Sequence, residues 1–258
     1  MSDPATAAVL SERRERVLLI TISRPEQRNA INLAVAEGIA GALDDLDEDP
    51  ALSLAVLTGA GKGFCAGMDL KAFVTGERPH AGGRGFAGLV ERPPAKPLIA
   101  AVEGFALAGG LEVALACDLI VAARGARLGI PEVKRGLAAA GGGLLRLPRA
   151  VPRAVAMELA LTGDPISAER GYELGLVNRL AEPGEALAQA LELGAAIAAN
   201  APLALAATKR ILTEGADWTE RESWSRQAEI TAPVFASEDA REGATAFAEK
   251  RPPVWKGR

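Results

Sequence analysis

Apolar positions along the chain follow two periods. Residues 16–23 (RVLLITIS) form an aliphatic, β-branched run closed by Arg24-Pro25, which predicts a strand. Over residues 32–48 the apolar positions Leu33, Ala36, Ile39, Ala40, Leu43 and Leu46 recur at helical spacing until Asp49-Pro50, predicting an amphipathic helix. Short apolar runs at 52–58, 98–102 and 118–123 read as further strands, with a short helix at 109–116 ahead of the third. Strands alternating with helices imply crossover connections and a mainly parallel sheet. Residues 73–91 carry five glycines and one proline and predict a mobile surface loop. After about Pro148 the pattern turns helical, with helices expected at 154–161, 168–174, 185–200, 202–214, 219–238 and 241–250. The expected organisation is an α/β core over residues 1–200 and a helical C-terminal region over 201–258.

Composition narrows the function classes. At 258 residues with 49% hydrophobic and 24% charged positions, the chain can bury a substantial core. A net charge of −4 and only 4% aromatic residues argue against a nucleic-acid partner, which calls for a basic face and stacking rings. Two cysteines, Cys65 and Cys117, provide no disulfide framework and no zinc spacing, so a reducing, cytoplasmic setting and no metal are expected. Residues 1–11 lack the basic and apolar blocks of a secretory signal. The apolar run at 105–123 is interrupted by Gly109-Gly110, Glu112 and Asp118, so it reads as buried helix plus strand rather than a membrane span.

Several motifs fail on context. Residues 83–88 (GRGFAG) match a dinucleotide-binding pattern but lie in the glycine-rich loop with no strand ahead of them. Residues 61–66 do follow a strand, yet no packed helix and second acid-ended strand come after them. Lys62 is followed by Gly63 rather than Ser or Thr, and no serine sits in a nucleophile elbow. The lone histidine, His80, falls in the predicted loop and reads as an exposed bystander.

Two segments carry chemistry instead. Residues 61–71 (GKGFCAGMDLK) and 103–112 (EGFALAGGLE) each follow a predicted strand and contain glycines that let the backbone turn sharply toward a ligand. If the two loops meet, their amides can converge on one oxygen, and the second loop opens a helix whose dipole adds to the effect. Glu112 and Glu132 are the candidate acid and base, because two partly buried carboxylates in one pocket can hold different protonation states. Taken singly, Glu112 also reads as a carboxylate at a helix N-terminus and Glu132 as a loop acid.

The segments FCAGMDLKAF, AVEGFALAGGLEVALACDLIVAA, GIPEV and AAAGGGLLRLPR, with SRPEQRNAIN near the start and AFAEKRPPVWKGR at the end, resemble the enoyl-CoA hydratase/isomerase (crotonase) superfamily over essentially the whole chain and in its order. The resemblance implies a spiral core of repeated ββα turns, a C-terminal trimerisation layer giving trimers or dimers of trimers, and an acyl-CoA substrate with no separate cofactor. It places the oxyanion donors at the amides of Met68 and Gly109 and the two hydratase glutamates at Glu112 and Glu132. Coenzyme A contacts map to Ala66, Met68, Leu70, Lys71 and Arg28, and Phe247 and Lys250 match C-terminal residues that complete the site in some relatives. Two departures stand out: Ala108 replaces a glycine frequent in the family, and alanines precede the Gly141 run where many hydratases carry a proline. The implied activity is hydration of 2-enoyl-CoA or dehydration of a related hydroxyacyl-CoA. A Δ3,Δ2-enoyl-CoA isomerase and a noncatalytic acyl-CoA-binding or RNA-binding member of the fold are the alternatives.

Overall fold

Among the described residues the central sheet has six strands, in the order β1 (Val9–Arg14), β2 (Val17–Ile22), β3 (Leu54–Gly59), β4 (Leu98–Val102), β6 (Leu119–Ala123) and β9 (Arg179–Ala181), and every neighbouring pair except β1 with β2 is parallel. The computed structural model describes residues 7–258; residues 1–6, part of the stretch read for a signal sequence, lie outside it. The remaining strands are β5 (Phe105–Leu107), β7 (Arg127–Gly129) and β8 (Ile166–Ser167). Strands β5, β7 and β8 form a second, three-stranded sheet. Between β4 and β7 the chain runs from large sheet to small sheet to helix and back again, which is the ββα turn of a spiral.

The helices are α1 (Leu33–Glu48), α2 (Leu70–Val74), α3 (Gly109–Ala116), α4 (Gly143–Ala150), α5 (Arg153–Thr162), α6 (Ala168–Glu173), α7 (Ala186–Ala198), α8 (Pro202–Glu214), α9 (Glu220–Ala236) and α10 (Glu238–Glu249). Because successive strand side chains point to opposite faces, the apolar runs split into two cores. Leu18, Ile20, Leu57, Ala100 and Ala122 face α1 and α3, whereas Leu19, Val56, Ile99 and Val121 face the alanine-rich side of α7. Both faces are covered, which explains continuous rather than alternating hydrophobicity in β3 and β4.

The expected mobile loop at 73–91 is corrected in its second half: residues 84–90 are buried. Arg84 supplies the reason. Its guanidinium is almost wholly enclosed, donates to Asp44 at 2.7 Å and Asp47 at 3.2 Å on α1, and also donates to the Arg92 carbonyl at 2.8 Å. At Gly88, with φ +64°, an added Cβ would lie 2.1 Å from the Ala36 carbonyl oxygen, so the loop backbone rests directly on α1. The helical pattern expected after about Pro148 starts earlier. Pro148 lies inside α4, near its C-terminal end, and α4 begins five residues earlier at Gly143. Strand β1 was not expected, since five of its six residues are exposed and give no core signal.

The run at 105–123 is β5, α3 and β6, and among the described residues no single helix is long and apolar enough to cross a membrane. Helices α8 and α9 contribute no buried residue, and they expose Leu212, Trp224 and Phe235 by 75% or more. Lys209 on α8 ties this layer to the core through Asp118 at 2.7 Å and the Lys96 carbonyl at 2.9 Å.

Candidate active site

Strands β3 and β4 are parallel neighbours, so the segments leaving their C-terminal ends emerge side by side. The 60–69 loop is then laced to β5, with the Cys65 amide donating to Phe105 O at 3.2 Å and the Leu107 amide donating to Cys65 O at 3.0 Å. On its other flank the 24–31 segment grips it. The Ala66 amide donates to Arg28 O, the Ile31 amide to Gly67 O at 2.8 Å, and the Asp69 amide to Ile31 O at 2.9 Å. Ile31 thus brackets Met68 on both sides. Asp69 caps α2 through its side chain and pairs with Arg24 at 3.0 Å; both partners are mostly buried, and although burial pushes the Asp69 carboxyl up, the guanidinium and the Ala72 and Lys71 amides together hold it below its ordinary range.

This lacing presses the first loop onto the start of α3. A Cβ on Gly67 (φ +100°) would lie 2.8 Å from Ala108 Cβ and 3.0 Å from Gly109 N, so only glycine fits. Neither the Met68 nor the Gly109 amide donates to a backbone carbonyl among the described residues. Two adjacent, uncommitted N–H groups are the elements of an oxyanion-binding site.

Glu112 sits in the first turn of α3 and is 4% exposed. Its Oε1 accepts from the Gly143 amide at 2.8 Å, at the first turn of α4, so the N-termini of two helices face one carboxylate. Burial raises its pKa, and the Gly143 and Gly141 amides with nearby Arg146 oppose that rise. Glu132 opens a 3-10 turn after β7, and its Oε2 is buried without a hydrogen-bond partner. Burial, with a further push from the Glu112 charge, raises its pKa to about 7. The two carboxylates therefore feel each other but are held unequally: Glu112 accepts from the Gly143 amide, whereas one buried oxygen of Glu132 has no partner among the described residues.

Of the other expected residues, Ala66 is partly buried within the first loop, and Arg28, Leu70 and Lys71 are exposed beside it. Phe247 and Lys250 lie at the end of α10, which packs on α9; Phe247 is 86% exposed, and no side-chain hydrogen bond ties either residue to the two loops among the described residues. His80 is exposed, its ring 6.3 Å from Phe86 in an edge-on arrangement. The Cys65 thiol is pushed up to about 12 by burial, which makes it inert at neutral pH.

Sequence reasoning missed Arg146 and Phe86. Arg146 donates to the Val90 carbonyl and places a half-buried cation near Glu112; its position four residues after Gly142, in the first turn and a half of an unrecognised helix, was the available signal. Phe86 lines the same cleft, since a Cβ on Gly109 would fall 2.6 Å from its ring and one on Gly141 3.2 Å from it. It was hidden in a segment read as solvent-facing.

The profile of the enoyl-CoA hydratase/isomerase family matches residues 12–258. The chain belongs to this family. It is 43% identical to enoyl-CoA hydratase EchA19 of Mycobacterium tuberculosis, over 96% of both chains. It is 44% identical to a carnitinyl-CoA dehydratase of Salmonella enteritidis, over 94% of this chain and 95% of that one. Among solved structures, enoyl-CoA hydratase EchA1 of Mycobacterium marinum superposes with a TM-score of 0.96 at 62% identity, covering 98% of this chain and all of the other. For this family member, the ββα spiral is therefore the family fold.

Proposed function

We propose that this protein is an enoyl-CoA hydratase, adding water reversibly across the C2–C3 double bond of a 2-enoyl-CoA. The observation that carries the reading is the pair of unequally held carboxylates beside two uncommitted amides. The Met68 and Gly109 N–H groups receive the thioester oxygen as it gains charge, each donor worth about 3 kcal/mol to the transition state. Glu112, whose Oε1 is oriented by the Gly143 amide, takes a proton from the water that attacks C3. Glu132, whose pKa of about 7 leaves it substantially protonated at neutral pH, gives its proton to C2 of the enolate. Water supplies OH to C3 and restores the proton count, so substrate and solvent provide every atom. Dehydration of a 3-hydroxyacyl-CoA runs the same steps backwards, which accommodates the dehydratases among the relatives.

An isomerase moves one proton between C2 and C4 and needs a single carboxylate; retention of a second, poised one favours hydration. Exposed Arg28 and Lys71 with Leu70 and Ala66 flank the first loop, where the phosphates and pantetheine of coenzyme A would lie, with Phe247 and Lys250 available at the chain's far end. The reading includes assembly into trimers or dimers of trimers through residues 201–258, supported by the apolar groove of about 430 Å³ between α8 and α9 and by exposed Trp224 and Phe235. A cytoplasmic setting suits its two free, buried cysteines. The deciding experiment follows loss of the conjugated thioester absorbance of crotonyl-CoA. Tight acyl-CoA binding without turnover across short, medium and branched enoyl-CoAs would leave only a binding module.

A further inference from the structure

Ala108 holds a backbone conformation that side-chain-bearing residues avoid, with φ +53° and ψ −132°. It does so because the peptides on both sides are pinned. Its amide donates to Gly129 O of β7 at 2.9 Å, while its carbonyl accepts from the amides of Leu111 at 2.8 Å and Glu112 at 3.2 Å. The mismatch between these two anchors is absorbed at the single residue between them. The second of those peptides matters most. Its carbonyl belongs to Ala108 and its N–H belongs to Gly109, and in a trans peptide the two point in opposite directions. With the carbonyl drawn into the first turn of α3, the Gly109 N–H must face out of the helix end, toward Gly67 and the Met68 loop. The Ala108 methyl lies on that same side, since a methyl added to Gly67 would land 2.8 Å from it.

We propose that Ala108 is a positioning residue whose strained backbone and methyl group fix the direction of the Gly109 amide and its spacing from the Met68 loop. The inference rests on the hydratase reading and its two-amide oxyanion site. A glycine here accepts the same φ and ψ without strain but also many others, so it releases the amide from a single orientation. The expected signature is a divergence: the protein tolerates or welcomes the change while the reaction does not.

The test is Ala108→Gly in the full chain, with three readouts. Steady-state kinetics on crotonyl-CoA should show kcat lowered about tenfold, well short of the loss expected for a whole donor, with KM within about twofold. The melting temperature should be equal to or above that of the wild type, because relief of a positive φ outweighs the added chain entropy. Infrared difference spectra of bound butyryl-CoA, which cannot be hydrated, should show the thioester carbonyl band shifted to lower frequency by the wild type and less shifted by the variant. A variant with wild-type kcat and an equal carbonyl shift overturns the inference alone, as does a kcat loss accompanied by a lowered melting temperature. A wild type that leaves the carbonyl band unshifted overturns the two-amide reading itself and the inference with it.

Discussion

The Gly143 amide donates to Oε1 of Glu112 at 2.8 Å across 31 residues of sequence, joining the first turn of one helix to the first turn of another. Space there is tight, because a Cβ on Gly143 would come within 2.9 Å of Glu112 Cγ. The bond gives Glu112 an environment that Glu132 lacks, and the proposed division of labour between base and acid rests on that difference.

Replacing either glutamate by glutamine keeps its shape and removes its proton chemistry. Glu112→Gln and Glu132→Gln should each lower kcat for crotonyl-CoA hydration by about 10²–10⁴ with KM little changed. The absorbance assay reads this directly, and full activity in both variants would refute the two-carboxylate mechanism.

The Glu132 proton sets a pH limb. With its pKa at about 7, the acid form is lost as pH rises through that value, so kcat/KM for hydration should fall on the alkaline side with a midpoint near there. The sign for stability runs the same way. The folded state holds this proton more tightly than the unfolded chain, whose glutamate titrates near its ordinary 4.5, so stability declines as pH climbs from about 4.5 to about 7 and then levels. Glu132→Gln should flatten that part of a melting-temperature profile measured against pH.

Gly67→Ala tests the contact between the two loops. The added methyl meets Ala108 Cβ at 2.8 Å and Gly109 N at 3.0 Å, at a residue with φ +100°. Destabilisation of about 1–3 kcal/mol and loss of nearly all hydration activity are expected, the latter because the methyl fills the gap between the amides. Calorimetry and the absorbance assay check the two halves; an active, stable variant would mean that the loops do not meet as described.

Arg24→Ala removes the partner of Asp69 and loosens the residue that follows Met68. The pair is mostly buried, so a cost of about 1–3 kcal/mol and a fall in kcat larger than any change in KM are expected. Arg24→Lys, which preserves charge but not the second bond to the Ala30 carbonyl, should recover part of the rate.

Arg84→Met leaves a hydrophobe in an enclosed site and cuts the tether to Asp44 and Asp47. Amide hydrogen exchange across residues 82–92 should quicken markedly, while the β4 amides stay protected. Unchanged exchange would show that the loop is held by Phe86, Leu89 and Val90 alone.

Much of this was legible from residue order because local and global signals agree. Asn32 followed by helical spacing marks α1, whose first turn the Asn32 side chain does cap by accepting from Val35 N at 3.1 Å. The Leu98–Val102 and Gly109–Ala116 boundaries also coincide with the expected ones. What escaped depends on contacts distant in sequence. Residues 84–90 look dispensable until Arg84 finds two aspartates 37 and 40 positions away. Strand β1 is polar because it is an edge, and Arg146 acquires meaning only when α4 lies against α3. Glu112 and Glu132 were visible as acids, but the inequality between them is a property of packing.

Val56 and Leu57 are consecutive in β3, yet one belongs to the core under α7 and the other to the core that carries the spiral and both chemical loops. The strand is a watertight partition. Side chains on the spiral side can therefore be reshaped, to admit a longer or bulkier acyl tail, without replacing any side chain beneath α7.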